Sequence, residues 1–522
     1  MSVLSFTINQ SIMRRSRKFI LSGLLAALIS GCTLGPDFKR PVTESPERLV
    51  TAEQVTQIAS DQGQKLVLGQ DIPGQWWELF KSKPLNALIE QALKRNPSLK
   101  SAQAVLVSAQ ENRLAKASEL LPALDATLSV RHQKVSGAQF GNPNFTGSVF
   151  TLYNASVGVT YTLDVFGKLQ RELEGMDAEI EYQKFQLEGA FLTLAGNIVT
   201  AAIQEASLRD QIKATEEIIQ AYEDELAIMQ QQLDIGSISK ISLLNQQTLL
   251  EQIRTTLPPL HKQLAQIRHE LSALVGDIPG SNALLAEFTL DDLHLPEQLP
   301  LSVPGKLLEQ RPDIRAQEAI LHAASAQVGE MATNIFPDLS INANVSTIAV
   351  AASSLFSPGS AVWALNGALV QPIFHGAQFL HQKKAAIATF EQMAAEYRST
   401  LLKAFQNVAD VLSALEYDYA ELKTQNAANA AAAETLELTR GQMQVGAASI
   451  LDLLVAERAY QQTRIGQIRA KTLRYVDSAA LMQALGGGWW NRGPLSKLVA
   501  FEPTLDSKYT TIFEFPRFRK LK

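Results

Sequence analysis

Seven histidines and one cysteine are the side chains of this 522-residue chain best able to bind a metal or act as a nucleophile. They form no HExxH motif and no paired Cys/His ligand spacing, and the sequence has no phosphate-binding glycine loop and no nucleophile elbow. We therefore expect no enzymatic activity, no metal site and no cofactor. The net charge of −5, without a Lys/Arg cluster after the first twenty residues, argues against nucleic-acid binding.

The single cysteine, Cys32, follows the pattern of a secretory signal peptide. Four basic residues between positions 14 and 18 precede a short apolar run over 19–29, which ends in Ile29-Ser30-Gly31-Cys32. The run is too short to cross a membrane as a helix. Its end matches a bacterial lipobox, so we expect removal of residues 1–31 and N-acyl (palmitate) and diacylglycerol lipid on Cys32. Met13 is an alternative start to Met1.

The chain repeats itself at an offset near 210–215 residues. Six landmarks keep their order, which chance similarity between helices would not preserve. The matched positions are Pro97 with Pro312, Pro122 with Pro337, Gly167 with Gly376, Asn197 with Asn407, Gly236 with Gly446 and Ala273 with Ala484. This pattern predicts a tandem duplication, with a Pro- and Gly-rich linker at 277–305.

Each half contains a stretch of alternating apolar and polar residues. In the first half, Tyr153, Val157 and Tyr161 share an apolar face, while Asn154 and Ser156 share a polar one. Period two predicts strands, here hairpins at 122–166 and 337–374. A soluble hairpin on a core would explain the alternation, but the small, uncharged second face and the flanking tyrosines favour a membrane barrel. Four strands cannot close a barrel, so two or three copies must share one.

A long helix follows each predicted hairpin. From Leu187 to Leu233, apolar residues recur at the three–four spacing of a coiled coil, interrupted by Glu205 and Thr215. Glycine is unfavourable inside a helix, so Gly236 and Gly446 predict breaks at which each long helix reverses. Helices of about 100 Å are struts rather than core elements.

Several of these motifs together resemble the TolC-type outer-membrane factors, in particular the lipoprotein branch of multidrug efflux channels. The motifs are CTLGPDFKRP, QWWELF, the paired LLP and IFP, LDVFGK, QPIFHG, the two glycine breaks and ALGGGWW. The resemblance implies an α+β membrane protein. Three chains would form a 12-stranded outer-membrane β-barrel, four strands from each, continued by a long periplasmic α-helical barrel and a mixed equatorial domain.

The resemblance also implies function and partners. The homotrimer would be a passive exit duct for drugs or other small molecules, opened by iris-like movement of the periplasmic helix tips. Its partners would be a periplasmic adaptor (membrane fusion) protein, a proton-driven inner-membrane pump and outer-membrane lipid. The alternative is the conduit of a type I protein-secretion system. A periplasmic adaptor lipoprotein fits less well, because adaptors lack this duplication.

Residue roles follow by matching the motifs. Asp452 corresponds to a pore-gate carboxylate, although an Asp here could instead cap a helix. Its counterpart in the first half is Ser242, and Val455 and Ala448 replace the further acid and base of a salt-bridge latch. The adaptor would contact two tips, Ile235-Gly236-Ser237 and Val445-Gly446-Ala447. Asp164, Gly167 and Gly376 are interpreted as structural residues of the strand–helix turns.

The repeats and the motifs around them divide the chain into six segments. We expect a signal peptide at 1–31, a lipid-anchored equatorial segment at 32–84 and a first repeat at 85–276 with its tip at 235–237. The inter-repeat linker at 277–305 leads to a second repeat at 306–488 with its tip at 445–447. A C-terminal tail covers 489–522.

Overall fold

The computed structural model describes residues 34–41, 64–136, 141, 147–280, 286–301 and 308–493. Cys32, the signal peptide and the tail after Gly493 lie outside these ranges. The chain forms two compact units. Among these residues, one unit comprises 34–41, 106–136, 141, 147–184 and 316–399, and the other comprises 64–105, 185–280, 286–301, 308–315 and 400–493.

Helices and strands follow one another in a similar order in both halves. The first half contains β1 (Lys65–Leu68), α1 (Lys83–Arg95), α2 (Pro97–Ala117), β2 (Ala123–Val135), β3 (Ser148–Leu163), α3 (Lys168–Asp234), α4 (Lys240–Arg254) and α5 (Leu257–Val275). The second half contains β4 (Gln298–Leu301), α6 (Pro312–Thr333), β5 (Asp338–Ala349), β6 (Ala361–Val370), α7 (Gln378–Gln444) and α8 (Ile450–Ala484).

The first unit contains a four-stranded antiparallel sheet in the order β2-β3-β5-β6. The two halves join at its centre, where Val159 of β3 lies opposite Ala343 of β5. Most of the apolar residues of the four strands share one face, on which Leu124, Val159, Ala343 and Leu365 lie side by side. That face is open rather than packed on a core, because Leu128 is 75% exposed and Trp363 is 77% exposed. A soluble hairpin resting on a core therefore does not describe this sheet.

The second unit buries the apolar stripe predicted along α3. Phe191, Ile198 and Tyr222 are each at most 4% exposed. Glu205, which interrupts the stripe, is fully buried, and Arg209 and Arg268 lie 3.1 and 2.7 Å from its Oε1 atom. Ion pairing thus compensates for burying the charge. One 18-residue stretch of α3 is apolar and long enough to cross a membrane, but 61% of it is buried, as in a packed helix.

Two local features differ from the sequence expectation. The first returning helix is divided into α4 and α5 at Thr255-Thr256, because Pro258 and Pro259 lack backbone N–H groups and start a new helix. The linker at 277–305 includes β4, which pairs in parallel with β1 from the N-terminal segment. Four-residue strands carry too little periodicity to be found from sequence.

The ALGGGWW motif closes the core of the second unit rather than starting a tail. Gly486, Gly487 and Gly488 all have positive φ angles, of 97°, 68° and 70°. A Cβ atom on Gly488 would lie 2.5 Å from the carbonyl oxygen of Pro73. After this tight turn, the indole N–H of Trp489 donates to the carbonyl oxygen of Gln310 at 2.6 Å. The expected boundary at 489 therefore falls inside a packed region.

The structure predicts that Gly488→Ala destabilises the protein. The left-handed conformation alone costs an L-residue about 1–2 kcal/mol, and the contact with backbone atoms adds to it. Gly441→Ala is the matched control, because Gly441 is exposed within α7 with nothing within 4 Å of its Cβ position. Thermal unfolding in detergent should show a lower midpoint for Gly488→Ala, and an unchanged or higher one for the control. Equal midpoints would contradict the packing described here.

Candidate functional site

The turn between α3 and α4 is a tight reversal closed by backbone hydrogen bonds. Gly236 has a φ of 77°, and the N–H of Ser237 donates to the carbonyl oxygen of Gln232 at 2.8 Å. The pattern is that of a Schellman helix end, which favours glycine at the left-handed position. Ile235, just before the glycine, is 80% exposed.

The turn between α7 and α8 repeats this geometry. Gly446 has a φ of 72°, and the N–H of Ala447 donates to the carbonyl oxygen of Gln442 at 2.8 Å. Val445 is 79% exposed. Both turns therefore present an apolar side chain to solvent on a rigid backbone, which suits contact with another protein.

Asp452 lies in the first turn of α8 and forms a reciprocal cap with Ser449. The Ser449 N–H donates to Asp452 Oδ2 at 2.9 Å, and the Asp452 N–H donates to Ser449 Oγ at 3.3 Å. The Ser449 hydroxyl, followed by its N–H, lowers the pKa of the Asp452 carboxyl from its ordinary value. The capping interpretation is thus present in the single chain. The gate interpretation stays a prediction, because it requires several copies.

The first half has an equivalent cap without an acid. Ser239 caps α4, and its hydroxyl accepts a hydrogen bond from the Ser242 N–H at 3.2 Å. Ser242 occupies the position that Asp452 has in the second half. The cap does not require a carboxylate, so the charge of Asp452 can be removed without removing the cap.

The strand–helix turns hold the ends of the sheet onto the long helices. Asp164 Oδ2 accepts a hydrogen bond from the N–H of Gln170 at 2.9 Å, so it caps the start of α3. Gly167 and Gly376 have φ angles of 74° and 56°. Ala377, next to Gly376, also has a positive φ of 65°, which is unusual for a residue with a side chain.

Cys32 lies outside the described residues, but the segment after it, 34–41, packs in the first unit. Arg171 is 3% exposed and donates to the carbonyl oxygen of Leu34 at 2.9 Å and to Asp37 Oδ1 at 3.0 Å. The ring of Phe38 stacks on His322 at 4.5 Å between ring centroids. The partners of Arg171 are more than 130 residues away in the chain, so its burial could not be predicted from its own sequence neighbourhood.

A second buried charge was also missed. Glu457 is only 1% exposed, and it lies at the end of the stretch QVGAASILDLLVAE (residues 444–457), which begins at the second glycine turn. The signal was present, since Ile450, Leu453 and Glu457 follow the three–four spacing of a buried helix face.

The arrangement of long helices, glycine turns and an exposed sheet agrees with comparison to known proteins. The sequence model of the family described as "Outer membrane efflux protein" matches residues 88–277 and 303–487. This chain belongs to the outer membrane efflux protein family.

Relatives and solved structures match nearly the whole chain. The cation efflux system protein CusC of Escherichia coli O6:H1 is 26% identical over 470 residues, covering 90% of this chain and 98% of CusC. The pyoverdine export outer membrane protein OpmQ of Pseudomonas aeruginosa is 28% identical over 422 residues, covering 80% and 87%. The Campylobacter jejuni CmeC outer membrane channel has the same fold, with a TM-score of 0.80, 20% identity and coverage of 89% and 97%.

Two substitutions separate the two roles of Asp452. Asp452→Ser removes the charge and reproduces the first-half cap, while Ser449→Ala weakens the cap and keeps the charge. If Asp452 lines a constriction, Asp452→Ser should lower cation selectivity in planar bilayers and Ser449→Ala should leave it unchanged. Unaltered conductance and selectivity in Asp452→Ser would show that the residue only caps α8.

Proposed function

We propose that this protein is the passive outer-membrane exit duct of a three-part efflux system. The observation that carries the proposal is the four-stranded sheet with an exposed apolar face. Such a face suits lipid, but the two edge strands β2 and β6 must find partners, because unpaired backbone groups are costly in hydrocarbon. Three copies would supply 12 strands, enough to surround a water-filled lumen.

The helices supply the rest of the duct in this proposal. α3 and α7 each have 67 residues, about 100 Å at 1.5 Å per residue. They would form the wall of a periplasmic tube whose tips open in an iris-like movement. The exposed Ile235 and Val445 would meet the hairpins of a periplasmic adaptor, and a proton-driven inner-membrane pump would supply the energy. Lipid on Cys32 would anchor each chain in the outer membrane.

The class of exported compound is proposed from relatives. CusC and OpmQ are named for the efflux of a cation and of pyoverdine, both small solutes. A duct of this kind places few specific groups along its length, so the pump would select the cargo. We therefore propose small molecules or ions rather than proteins as the exported class.

The two halves, taken as repeats, predict how one copy pairs with the next. Ala123 pairs with Thr160 in the first hairpin, and Asp338 pairs with Val370 in the second. Ala123 of β2 therefore corresponds to Asp338 of β5, an offset of 215 residues, and Thr160 of β3 corresponds to Val370 of β6, an offset of 210. Inside the chain, Val159 of β3 faces Ala343 of β5. If the β3–β5 pairing is repeated between copies with these offsets, Leu369 of β6 lies opposite Leu128 of β2 in the neighbouring copy. Both residues belong to the apolar face, whereas a shift by one residue would pair apolar with polar positions.

Cysteine cross-linking tests this closure. One double variant, Leu369→Cys with Leu128→Cys, probes the apolar face, and a second, Ala368→Cys with Ser129→Cys, probes the polar face. Both faces are probed because opposite residues in antiparallel strands alternate between hydrogen-bonded and non-hydrogen-bonded pairs. Disulfides form more readily in one of these two kinds of pair. We expect covalent dimers and trimers from at least one of these pairs.

The matched control, Leu369→Cys with Val130→Cys, lies two residues out of register on the same face. It should cross-link poorly. Products limited to two chains would indicate an eight-stranded barrel. No intermolecular product from either in-register pair would contradict the proposed duct.

A further inference from the structure

A pair of glutamates joins the two helix pairs close to the turns. Glu225 lies on α3 and Glu457 lies on α8, so each belongs to a different half of the chain. The side-chain amide of Gln246, on α4, contacts both, with Nε2 3.4 Å from Glu225 Oε2 and 3.5 Å from Glu457 Oε2. One oxygen of each carboxyl group therefore faces the same amide nitrogen. Two carboxyl groups held this close repel each other when both are ionised, which favours a proton on one of them.

Much of the surroundings of this pair is apolar, and Glu225 is partly buried. The Glu457 side chain is 0% exposed. One apolar cluster contains Tyr222, one turn from Glu225, together with Leu249, Leu250 and Leu454. Another contains Leu453 and Ala456, the neighbours of Glu457, together with Leu436. Burial of Glu457 limits its contact with water, so ionising both carboxyl groups has a cost.

The charges facing the pair do not balance it. Arg440 of α7 lies 3.3 Å from Glu457 Oε1. Among the described residues, it is the one cation within ion-pair distance of either carboxyl. α4 contributes the neutral Gln246, α3 contributes Tyr222, and Arg458 of α8 acts electrostatically on Tyr222. One guanidinium neutralises one carboxylate and leaves the second to be neutralised by another species.

The site also has unused polar atoms and free space. The hydroxyl of Tyr222 and Oε1 of Gln246 are buried without a hydrogen-bond partner among the described residues. A cavity of about 160 Å³ is lined by Tyr222, Arg440, Glu457, Tyr460, Glu217 and Arg464, among others. A cavity with several polar groups can hold water, which gives protons a way in.

We propose that Glu225 and Glu457 share one buried proton, and that this proton holds the α3–α4 and α7–α8 pairs together beside the turns. A proton fits better than a divalent cation, because Arg440 already neutralises one carboxylate and would repel a metal ion. The proton site rests on the geometry of one chain. Its consequence, a pH-sensitive opening of the duct, rests on the proposed function.

The direction of the pH effect follows from the raised affinity for the proton. Burial, followed by the hydrogen bond and charge of Glu457, raises the pKa of the Glu225 carboxyl from 4.5 to about 9. Between pH 4.5 and about pH 9, the state in which Glu225 and Glu457 are in contact therefore binds more protons than the state in which they are separated. The contact is strongest at and below pH 4.5 and weakens as the pH rises, and the pH-dependent part is lost above about pH 9. Asp452 differs, since its lowered pKa places its titration in the acidic range.

Amide hydrogen exchange on the full protein in detergent tests the proposal between pH 5 and pH 9. After correction for intrinsic exchange rates, peptides covering 222–246 and 436–457 should report the local opening equilibrium. We expect it to increase by up to about tenfold per pH unit in the wild type, because one proton is released on opening. Glu225→Gln should abolish this slope. Glu216→Gln, at an exposed position on the same helix, should keep it.

Several outcomes would overturn the proposal. They are a flat profile in the wild type, an unchanged slope in Glu225→Gln, or a wild-type profile that millimolar Ca²⁺ suppresses. Glu457→Gln provides a second variant with the same expected loss of slope if Glu225→Gln does not fold. Conductance in planar bilayers is a separate measurement that tests the duct. If the wild type and all variants lacked conductance, the proposed duct would be contradicted. The hydrogen-exchange profiles would still decide whether the two glutamates share a proton.

Discussion

The structure depends on the backbone hydrogen bonds of two edge strands. Within the described chain, β2 and β6 each pair on one side only, although the sheet exposes an apolar face suited to lipid. Hydrocarbon offers no hydrogen-bond partners, so such edges are tolerable only when they meet further strands. In the proposed duct, the sheet is one part of a closed structure, and the pairing of β3 with β5 provides the pattern for the pairing between copies. The proposed duct therefore requires the strands of other copies.

The helices meet a different constraint, which is to continue over many turns and reverse at defined places. Positive φ angles at Gly236 and Gly446 set the reversals, and a Ser at the start of each returning helix caps it. Burial along α3 contributes to the cohesion of the second unit. Two polar groups inside that packing join different helices. Glu205 of α3 pairs with Arg268 of α5, and Glu225 of α3 shares the side-chain amide of Gln246 with Glu457 of α8.

Sequence reasoning recovered features that are encoded locally. Alternation along Tyr153–Tyr161 predicts strands, and the cost of glycine within a helix predicts the reversals at Gly236 and Gly446. Features that depend on distant partners were lost. The role of Arg171 depends on residues 34–37, and the parallel pairing of β1 with β4 joins two strands of four residues that show no periodicity. ALGGGWW served only as a family motif, and its tight turn against Pro73 was not predicted. Asp452 shows a further limit, because one chain reveals its cap while its role in a ring requires the assembly.

The mass of the membrane-embedded assembly tests the central claim most directly. Native mass spectrometry of the full-length protein, extracted from outer membranes in mild detergent, counts the chains that share one barrel. The account predicts three chains, each with lipid on its N-terminal cysteine. An assembly of one chain or two would contradict it, because neither supplies the strands needed to close the sheet around an open lumen.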